Sequence, residues 1–467
     1  MASLFDIIVV GGGPGGYVTA LRARQLGLSV ALIERERVGG VCLNRGCIPT
    51  KALLADVEGL QWARRSFKAG VIASIPEVNF GGMQRRKTEV VSKMVSNLEA
   101  FLAARGVTVV SASATIPEPG VALTSIGETI RGRNTVVATG SRSWAPPIPG
   151  ADLPGVLTTR QLLEIQTVPA RLAVIGGGMI GQEFAAIFAA VGSRVTVLEA
   201  LDRILNEVDA EMARKYSSLL PALGITAEVG VQVRAIETRS DGLRIVYEKR
   251  GREKVVDADV ILMATGRRPN LEGLDPEKLG MRTVHGAVHV DGFLETSVPG
   301  IYAVGDVIGR RMLAHVAYYH GEIVAENIAG RRKPAADDVV PACAFTTPQI
   351  AWVGMTEEQV AASGRGYRTS TFSLTQSGKA LAMGEPRGWI KLIECTETGR
   401  LIAAHLMGPH VSELISELAL AVRLGLSAKD VADTIHPHPT LSEAVREAAL
   451  GLLDGPIHAT ARTKKFP

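Results

Sequence analysis

Cys42 and Cys47 lie in the stretch VGGVCLNRGCIPTKALL, and they are two of only four cysteines in 467 residues. Such a pair can hold a metal, staple a loop or cycle between dithiol and disulfide. A tetrahedral metal site needs further ligands at nearby spacings, and no histidine or third cysteine falls within forty residues of either. Closing so short a loop removes little denatured-state entropy, on the order of 2 kcal/mol before strain. The segment CIPTKALLADVEGL reads as a helix starting near Pro49, with proline in its first turn. Cys47 then sits at a helix N-terminus, where the dipole lowers a thiol pKa and favours the reactive thiolate. The chemistry favours a redox pair.

Such a pair must be held beside an electron acceptor, and an internal repeat supplies candidates. Residues 6–34 (DIIVVGGGPGGYVTALRARQLGLSVALIE) and 171–199 (RLAVIGGGMIGQEFAAIFAAVGSRVTVLE) share one pattern. A β-rich run leads into G-x-G-x-x-G, then a helical stretch, then a second β-rich run ending in glutamate. The glycines are Gly11, Gly13, Gly16 and Gly176, Gly178, Gly181; the closing acids are Glu34 and Glu199. This is a βαβ unit for a dinucleotide: tight turn, close backbone approach to a pyrophosphate, close helix–strand packing. The helix N-terminus then faces the phosphates, and each glutamate is placed to accept hydrogen bonds from the adenosine ribose hydroxyls. Two copies imply two domains with one nucleotide each. A carboxylate at Glu199, followed by Ala200 and Leu201, repels a 2′-phosphate and favours NAD over NADP.

The remaining punctuation divides the chain further. TVVATGSRSWAPPIPG (135–150) and VILMATGRRPN (260–270) both run from a strand into A-T-G and a basic loop, as exits between domains. TSVPGIYAVGD (296–306) is a turn and strand ending at Asp306. Beyond Pro341 come strands near 350–354, 388–394 and 401–407 and amphipathic helices near 412–424 and 443–452, a separate α+β domain. The composition is that of a multidomain globular protein, 46% apolar and 21% charged. A net charge of +4 without a dense basic block argues against nucleic acid. No apolar run reaches the roughly 20 residues that span a bilayer, and the N-terminus lacks a signal-peptide pattern. The expectation is a cytoplasmic protein, or a mitochondrial matrix protein if the source is eukaryotic. The basic tail ARTKKFP reads as a solvated end.

GGVCLNRGCIPTKAL resembles the active-site segment of the flavin-containing pyridine nucleotide–disulfide oxidoreductases, and the resemblance extends over both glycine motifs, both A-T-G exits, TSVPGIYAVGD and HPHPTLSEAVREA (436–448). Within that family the chain resembles the dihydrolipoamide dehydrogenase branch most. The resemblance implies a fold of two Rossmann-like dinucleotide-binding domains plus a C-terminal α+β dimerisation domain. Residues 1–145 and 268–340 would form the FAD domain, 146–267 the NAD domain and 341–467 the interface of a homodimer. It implies oxidation of dihydrolipoamide, free or on a lipoyl-bearing protein, with reduction of NAD⁺ through the disulfide and FAD. It also implies service in a 2-oxo acid dehydrogenase or glycine-cleavage complex.

Residue roles follow from the same resemblance. Cys42 would exchange with the dithiol and Cys47 would lie beside the flavin, with Lys51 near its ring. Asp306 would bind the ribityl chain, Glu183 would flank the nicotinamide, and Thr139, Gly140 and Gly266 of the exits would complete the cofactor contacts. His438 would be the acid/base and Glu443 the carboxylate that orients it, acting on the disulfide of the other subunit. TLSE (440–443) is at the same time a capping-box pattern, with Thr440 as N-cap and Glu443 three residues on. Arg45, Val41 and the run AHVAYYHG (314–321) depart from the family pattern. Arg45 would lower the thiolate pKa, alter access to the disulfide or point outward. Cys343 and Cys395 read as buried small apolar residues. The competing readings are a glutathione reductase-like enzyme, which Glu199 opposes, and a flavin-loaded scaffold subunit.

Overall fold

The computed structural model describes residues 4–459 and the backbone of 463–466. Both copies of the repeat fold as parallel βαβ units. In the first, β1 (Leu4–Val10) leads through Gly11 into α1 (Pro14–Gln25) and back to β2 (Val30–Glu34), which pairs parallel with β1. Ile7–Val10 and Val30–Ile33 are buried, which is why these segments read as unbroken apolar runs. A short helix α2 (Gly40–Arg45) carries Cys42, and α3 (Cys47–Lys68) and α4 (Phe80–Ala104) form a long antiparallel pair. After β3 (Thr108–Ser111), a meander through 114–118 and 121–124 returns as β4 (Thr129–Val137). β4 pairs with β1, and the other side of β4 takes up a strand from 301–303, far along the chain.

The second copy is β5 (Arg171–Ile175), α5 (Met179–Ala190) and β6 (Arg194–Glu199). Its five-stranded parallel sheet runs 225–229, β6, β5, 260–263, 156–157, and a three-stranded antiparallel sheet (231–239, 242–249, 252–258) packs beside it. The two A-T-G exits meet: Ser141–Ser143 pairs antiparallel with Arg267–Pro269, so both crossings between the nucleotide-binding halves share one two-stranded ribbon.

The chain re-enters the first sheet at 301–303 and continues into α6 (Ala314–Ile328). Gly321 lies against α1, where an added Cβ would stand 2.6 Å from the Gly15 carbonyl oxygen. The remainder is an antiparallel sheet (342–344, 349–354, 401–408, 389–395, 367–373) covered by α7 (Val411–Leu424) and α8 (Glu443–Leu450). Thr463–Phe466 adds a sixth strand beside 367–373, so the basic tail is an edge strand and not a free solvated end. Residues 461, 462 and 467 of that tail lie outside the described residues.

One apolar cluster joins all three parts. Leu53, Leu54 and Val57 of α3 pack with Phe184 and Phe188 of α5 and with Ala342, Trp352 and Met407 of the C-terminal sheet. Helix α3 is therefore the pivot around which the two nucleotide-binding halves and the C-terminal domain meet. Among the described residues no helix is long and apolar enough to cross a membrane, and no His/Cys/Asp/Glu group could hold a metal ion.

Candidate active site

Helix α3 begins at Cys47 itself, two residues earlier than Pro49, because Gly46 at the N-cap (φ −145°, ψ −106°) turns the chain directly out of α2. Cys42 is buried and Cys47 half-buried at this break between two helices. The Cys42 thiol donates a hydrogen bond to Cys47, and the consequences for the two sulfurs are opposite. That bond, burial and the neighbouring charge push Cys42 well above the ordinary thiol range. Cys47 is lowered to about 7 by the same bond, with burial opposing and the Lys51 ammonium assisting. The pair thus has one sulfur built to carry negative charge and one built to keep its proton.

Lys51, one turn after Cys47, donates to both carboxylate oxygens of Glu183 at 2.9 and 2.8 Å and lies over the Phe345 ring. Glu183 also accepts from the Phe345 N–H at 3.0 Å. The contact brings a residue of the cysteine helix to a residue two positions past Gly181, the closing glycine of the second nucleotide motif. Arg45 pairs with Glu36, not with either sulfur, so the residue between the cysteines leaves their charge balance to Lys51.

The two glycine turns are ready-made for phosphates. Gly11 (φ +104°) and Gly176 (φ +110°) occupy the left-handed region, and Cβ atoms there would stand 2.3 Å from the Ala138 and Ala264 carbonyl oxygens. Gly16 and Gly181 let helix and strand touch, since a Cβ would fall 1.8 and 2.1 Å from the carbonyls of Gly11 and Gly176. By contrast, a Cβ at Gly13 would meet only Gly40 Cα at 3.8 Å, and at Gly178 nothing within 4 Å. Neither α1 nor α5 has a side-chain cap at its N-terminus. Open space over uncapped N–H groups fits a pyrophosphate at both turns.

Glu34 and Glu199 do more locally than the sequence implied. Glu34 accepts from the N–H groups of Gly12 (2.7 Å) and Glu36 (2.8 Å), and Glu199 from those of Gly177 (2.5 Å) and Leu201 (2.8 Å). Each carboxylate holds its glycine loop in place and still has lone pairs for a ribose. Beside Glu34 opens a cavity of about 440 Å³ bounded by Val38, Leu102 and Val109, sized for an adenosine end. Arg203 is engaged by Glu358 at 2.8 Å and so is not free to receive a 2′-phosphate.

At the other exit, Thr139 donates to the Asn270 carbonyl at 2.6 Å, and Gly140 (φ +71°) accepts from the Asn270 N–H. Asp306 accepts from the Ser141 hydroxyl, and Arg267 donates to the Ser141 hydroxyl and carbonyl at 2.8 Å. Gly266 (φ +118°) accepts from the Trp144 N–H on the shared ribbon. Ser141, Arg267 and Asn270 were not singled out by sequence; the pairing of the two A-T-G segments was the missing signal.

His438 stands on the C-terminal domain, its side chain 80% exposed, and shares a 2.8 Å hydrogen bond between Nδ1 and Glu443. Glu443 also accepts from the Thr440 N–H at 2.8 Å. Burial raises the Glu443 carboxyl, but the Thr440 and His438 contacts outweigh it and hold it below the ordinary range. The capping-box reading needs correction: α8 starts at Glu443, and the Thr440 hydroxyl donates to the Pro437 carbonyl instead of capping the helix. Within the one chain, His438 is turned outward. The His436 ring is engaged with Glu417 at 2.9 Å.

Two further readings change. Cys395 is buried, but Cys343 is half-buried and lies within electrostatic reach of Lys51, its thiol raised to about 11 by burial. The run AHVAYYHG now has a physical account. Tyr318 packs on Tyr17, the Tyr319 hydroxyl accepts from the Ala336 N–H, and fully buried His320 bridges the Gly305 N–H and Asp337.

Comparison with known proteins agrees with this geometry. Residues 5–321 match the family model described as pyridine nucleotide-disulphide oxidoreductase, and residues 340–449 match its dimerisation domain. The chain belongs to that family. One relative, a dihydrolipoyl dehydrogenase of Bacillus subtilis, is 37% identical across 98% of this chain and 100% of its own length. The mitochondrial dihydrolipoyl dehydrogenase of Pisum sativum is 36% identical across 97% and 92%. Among solved structures, the HOCl-induced flavoprotein disulfide reductase RclA of Escherichia coli superposes with a TM-score of 0.87 at 30% identity, covering 96% of this chain and 99% of that one. LpdA of Mycobacterium tuberculosis gives 0.88 at 28% identity, covering 96% and 99%. The family's fold is the one described above, with two Rossmann-like halves and a C-terminal α+β dimerisation domain.

Proposed function

We propose that this protein is an FAD- and NAD-dependent dihydrolipoyl dehydrogenase, oxidising a dihydrolipoyl dithiol to its cyclic disulfide. One observation carries the reading: the cysteine helix and the second nucleotide motif are joined through Lys51 and Glu183, so the sulfur pair lies between two dinucleotide sites. The first turn, with Gly11, Gly13, Gly16 and Glu34, would hold FAD together with Thr139, Gly140 and Asp306. The second, with Gly176, Gly178, Gly181 and Glu199, would hold NAD, with Glu183 and Gly266 at its inner end. This assigns 1–145 and 268–340 to the flavin domain, 146–267 to the NAD domain and 341–467 to dimerisation. When bound, the flavin supplies two-electron transfer between the sulfur pair and the nicotinamide.

The chain's own residues handle the sulfur chemistry. A substrate thiol gives its proton to the imidazole of His438 of the partner subunit and attacks Cys42 of the oxidised pair. The Cys42–Cys47 bond breaks and the electron pair leaves on Cys47. Departure from Cys47 is the favourable direction because the lower-pKa thiol leaves faster. The second substrate thiol then closes the lipoyl ring by displacing Cys42; His438 of the partner subunit hands the first proton to Cys42 and takes up the proton of this second thiol. Glu443 orients that imidazole through Nδ1 and leaves Nε2 to work. The exposed His438 and the matched dimerisation domain support a homodimer in which each site is completed by the other copy. Lipoyl groups on a 2-oxo acid dehydrogenase or glycine-cleavage complex are the proposed partners, and the cytoplasm, or a mitochondrial matrix, the proposed location.

The test is an anaerobic titration of the holoenzyme with dihydrolipoamide, followed by addition of NAD⁺. Reduction with a long-wavelength absorbance shoulder and then NADH formation is the expected result. A flavin reduced by NADH but indifferent to the dithiol would replace this reading with an NADH-dependent reductase of some other disulfide.

A further inference from the structure

Helix α8 carries a second histidine–carboxylate pair one turn beyond the first. Glu443 bonds Nδ1 of His438 at 2.8 Å, and Glu447, four residues on, bonds Nδ1 of His458 at 2.9 Å. Residues four apart share one face of a helix, with Cβ atoms about 5–6 Å apart. Each carboxylate also braces the backbone near its histidine. Glu443 takes the Thr440 N–H, and Glu447 takes those of Ile457 and His458 at 2.9 and 3.1 Å. An ionised carboxylate only accepts, so each ring carries its proton on Nδ1 and leaves Nε2 free to work. The side chains of His438 and His458 are 80% and 72% exposed, whereas that of Glu447 is 7% exposed. His458 is also among the charges that hold the Glu443 carboxyl below its ordinary range.

The chain beyond α8 makes this placement. It turns back at Gly455 (φ +109°), whose N–H bonds the Leu450 carbonyl at 3.1 Å. Leu452 and Ala459 pack on the C-terminal core on either side of the turn, so residues 457 and 458 return to the flank of α8. A clamp on the turn needs only the two backbone bonds to Glu447. The third bond fixes an exposed imidazole.

We propose that His458 is the next carrier for the proton that His438 clears after each oxidation, with Glu447 the positioning residue that orients it. The proposal rests on the dithiol reading above. Two electrons and two protons leave the dithiol; NADH carries off both electrons and one proton, and the other proton ends on His438. That ring has Nδ1 committed to Glu443 and Nε2 turned to the sulfur pair of the other copy. In the relay the Nε2–H bond of His438 breaks, water passes a proton on, and an N–H bond forms at Nε2 of His458. No electrons change hands, and His438 returns to the neutral form that the next thiol needs. Glu447 stabilises the imidazolium of His458, which gives its proton to solvent.

The experiment follows the reverse proton movement in the holoenzyme, with no lipoyl substrate present. NADH reduces the disulfide by way of the flavin, and the protein takes up one proton from solvent. In weak buffer, a pH indicator in a stopped-flow cell reads the uptake, and the long-wavelength absorbance shoulder reads the reduction. In wild type the two signals are expected to run together. In His458→Gln the uptake should lag by about tenfold, and added imidazole should restore it. Uptake that keeps pace in the variant, or a lag that imidazole leaves in place, overturns the proposal. The imidazole arm separates a proton path from a merely structural role. If His458→Gln loosens the dimer, Glu447→Gln decides alone. Its amide oxygen still accepts the Ile457 and His458 N–H groups, and a smaller lag, again rescued by imidazole, is expected. Failure of wild type to oxidise dihydrolipoamide would strike the function and leave this NADH half-reaction legible.

Discussion

Lys51 and Glu183 are 132 residues apart in the chain and share two hydrogen bonds of 2.9 and 2.8 Å. Glu183 is the more enclosed, with its side chain 8% exposed against 31% for Lys51. The pair links the helix that starts at Cys47 to the helix that starts at the second glycine turn. It is also the cationic support of the Cys47 sulfur.

Replacing Lys51 with Met removes that support. The Cys47 thiol, lowered to about 7, should titrate about one unit higher, so its thiolate at pH 7 falls several-fold. A pH titration of thiolate absorbance near 240 nm in the reduced variant would read this. An unmoved midpoint would mean that the Cys42 hydrogen bond alone sets the value.

Glu443→Gln keeps the size of the side chain but weakens the contact that orients His438. Turnover with dihydrolipoamide should fall by about 10- to 100-fold, and His438→Gln by about 10²–10⁴. Steady-state kinetics with each variant would show a loss mainly in kcat. A raised KM with kcat unchanged would instead point to substrate binding.

The second glycine turn separates folding from nucleotide binding. Gly178→Ala places a methyl group where the protein offers no contact within 4 Å. It should leave the melting temperature unchanged and raise the NADH KM about tenfold. Gly181→Ala meets the Gly176 carbonyl oxygen at 2.1 Å and should cost about 1–3 kcal/mol in stability. Thermal melts and NADH titrations of the two variants side by side check both halves.

Lys391, 1% exposed on the C-terminal sheet, bonds both oxygens of Asp209 at 2.9 and 3.0 Å, and also pairs with Glu211 and Glu357. Lys391→Met strands the buried Asp209 and should destabilise the protein by about 3–5 kcal/mol. Burial raises Asp209, yet His405 and Lys391 outweigh it and hold the carboxyl below its ordinary 3.8. That stabilisation is present above pH 3.8 and fades as pH falls through the lower folded value. Acid unfolding of the variant should therefore lose the steep limb of wild type below about pH 4.

Local, periodic features were legible from the order of residues alone. Gly11, Gly13 and Gly16 with Glu34, repeated at Gly176, Gly178, Gly181 and Glu199, specify βαβ turns because Gly16 and Gly181 answer the carbonyls of Gly11 and Gly176 five residues back, and each glutamate holds its own glycine loop 22 residues away. The Ala138 and Ala264 carbonyls that crowd Gly11 and Gly176, by contrast, come from later in the chain. Cys42 and Cys47 are likewise legible, since spacing and a helix start suffice to pair them, while Lys51 was placed beside them by the family resemblance. The tertiary structure decided what those units meet. Nothing local in Lys51 names Glu183, and nothing in Tyr17 names Tyr318, because each pair forms only when helices from different parts of the chain cross. The dual use of Glu443, for His438 and for the Thr440 N–H, replaced a capping box that the pattern fitted equally well. Asp209 and Lys391 were silent in sequence, since an ionic pair gains its meaning from burial, and burial is set by the packing of one domain on another.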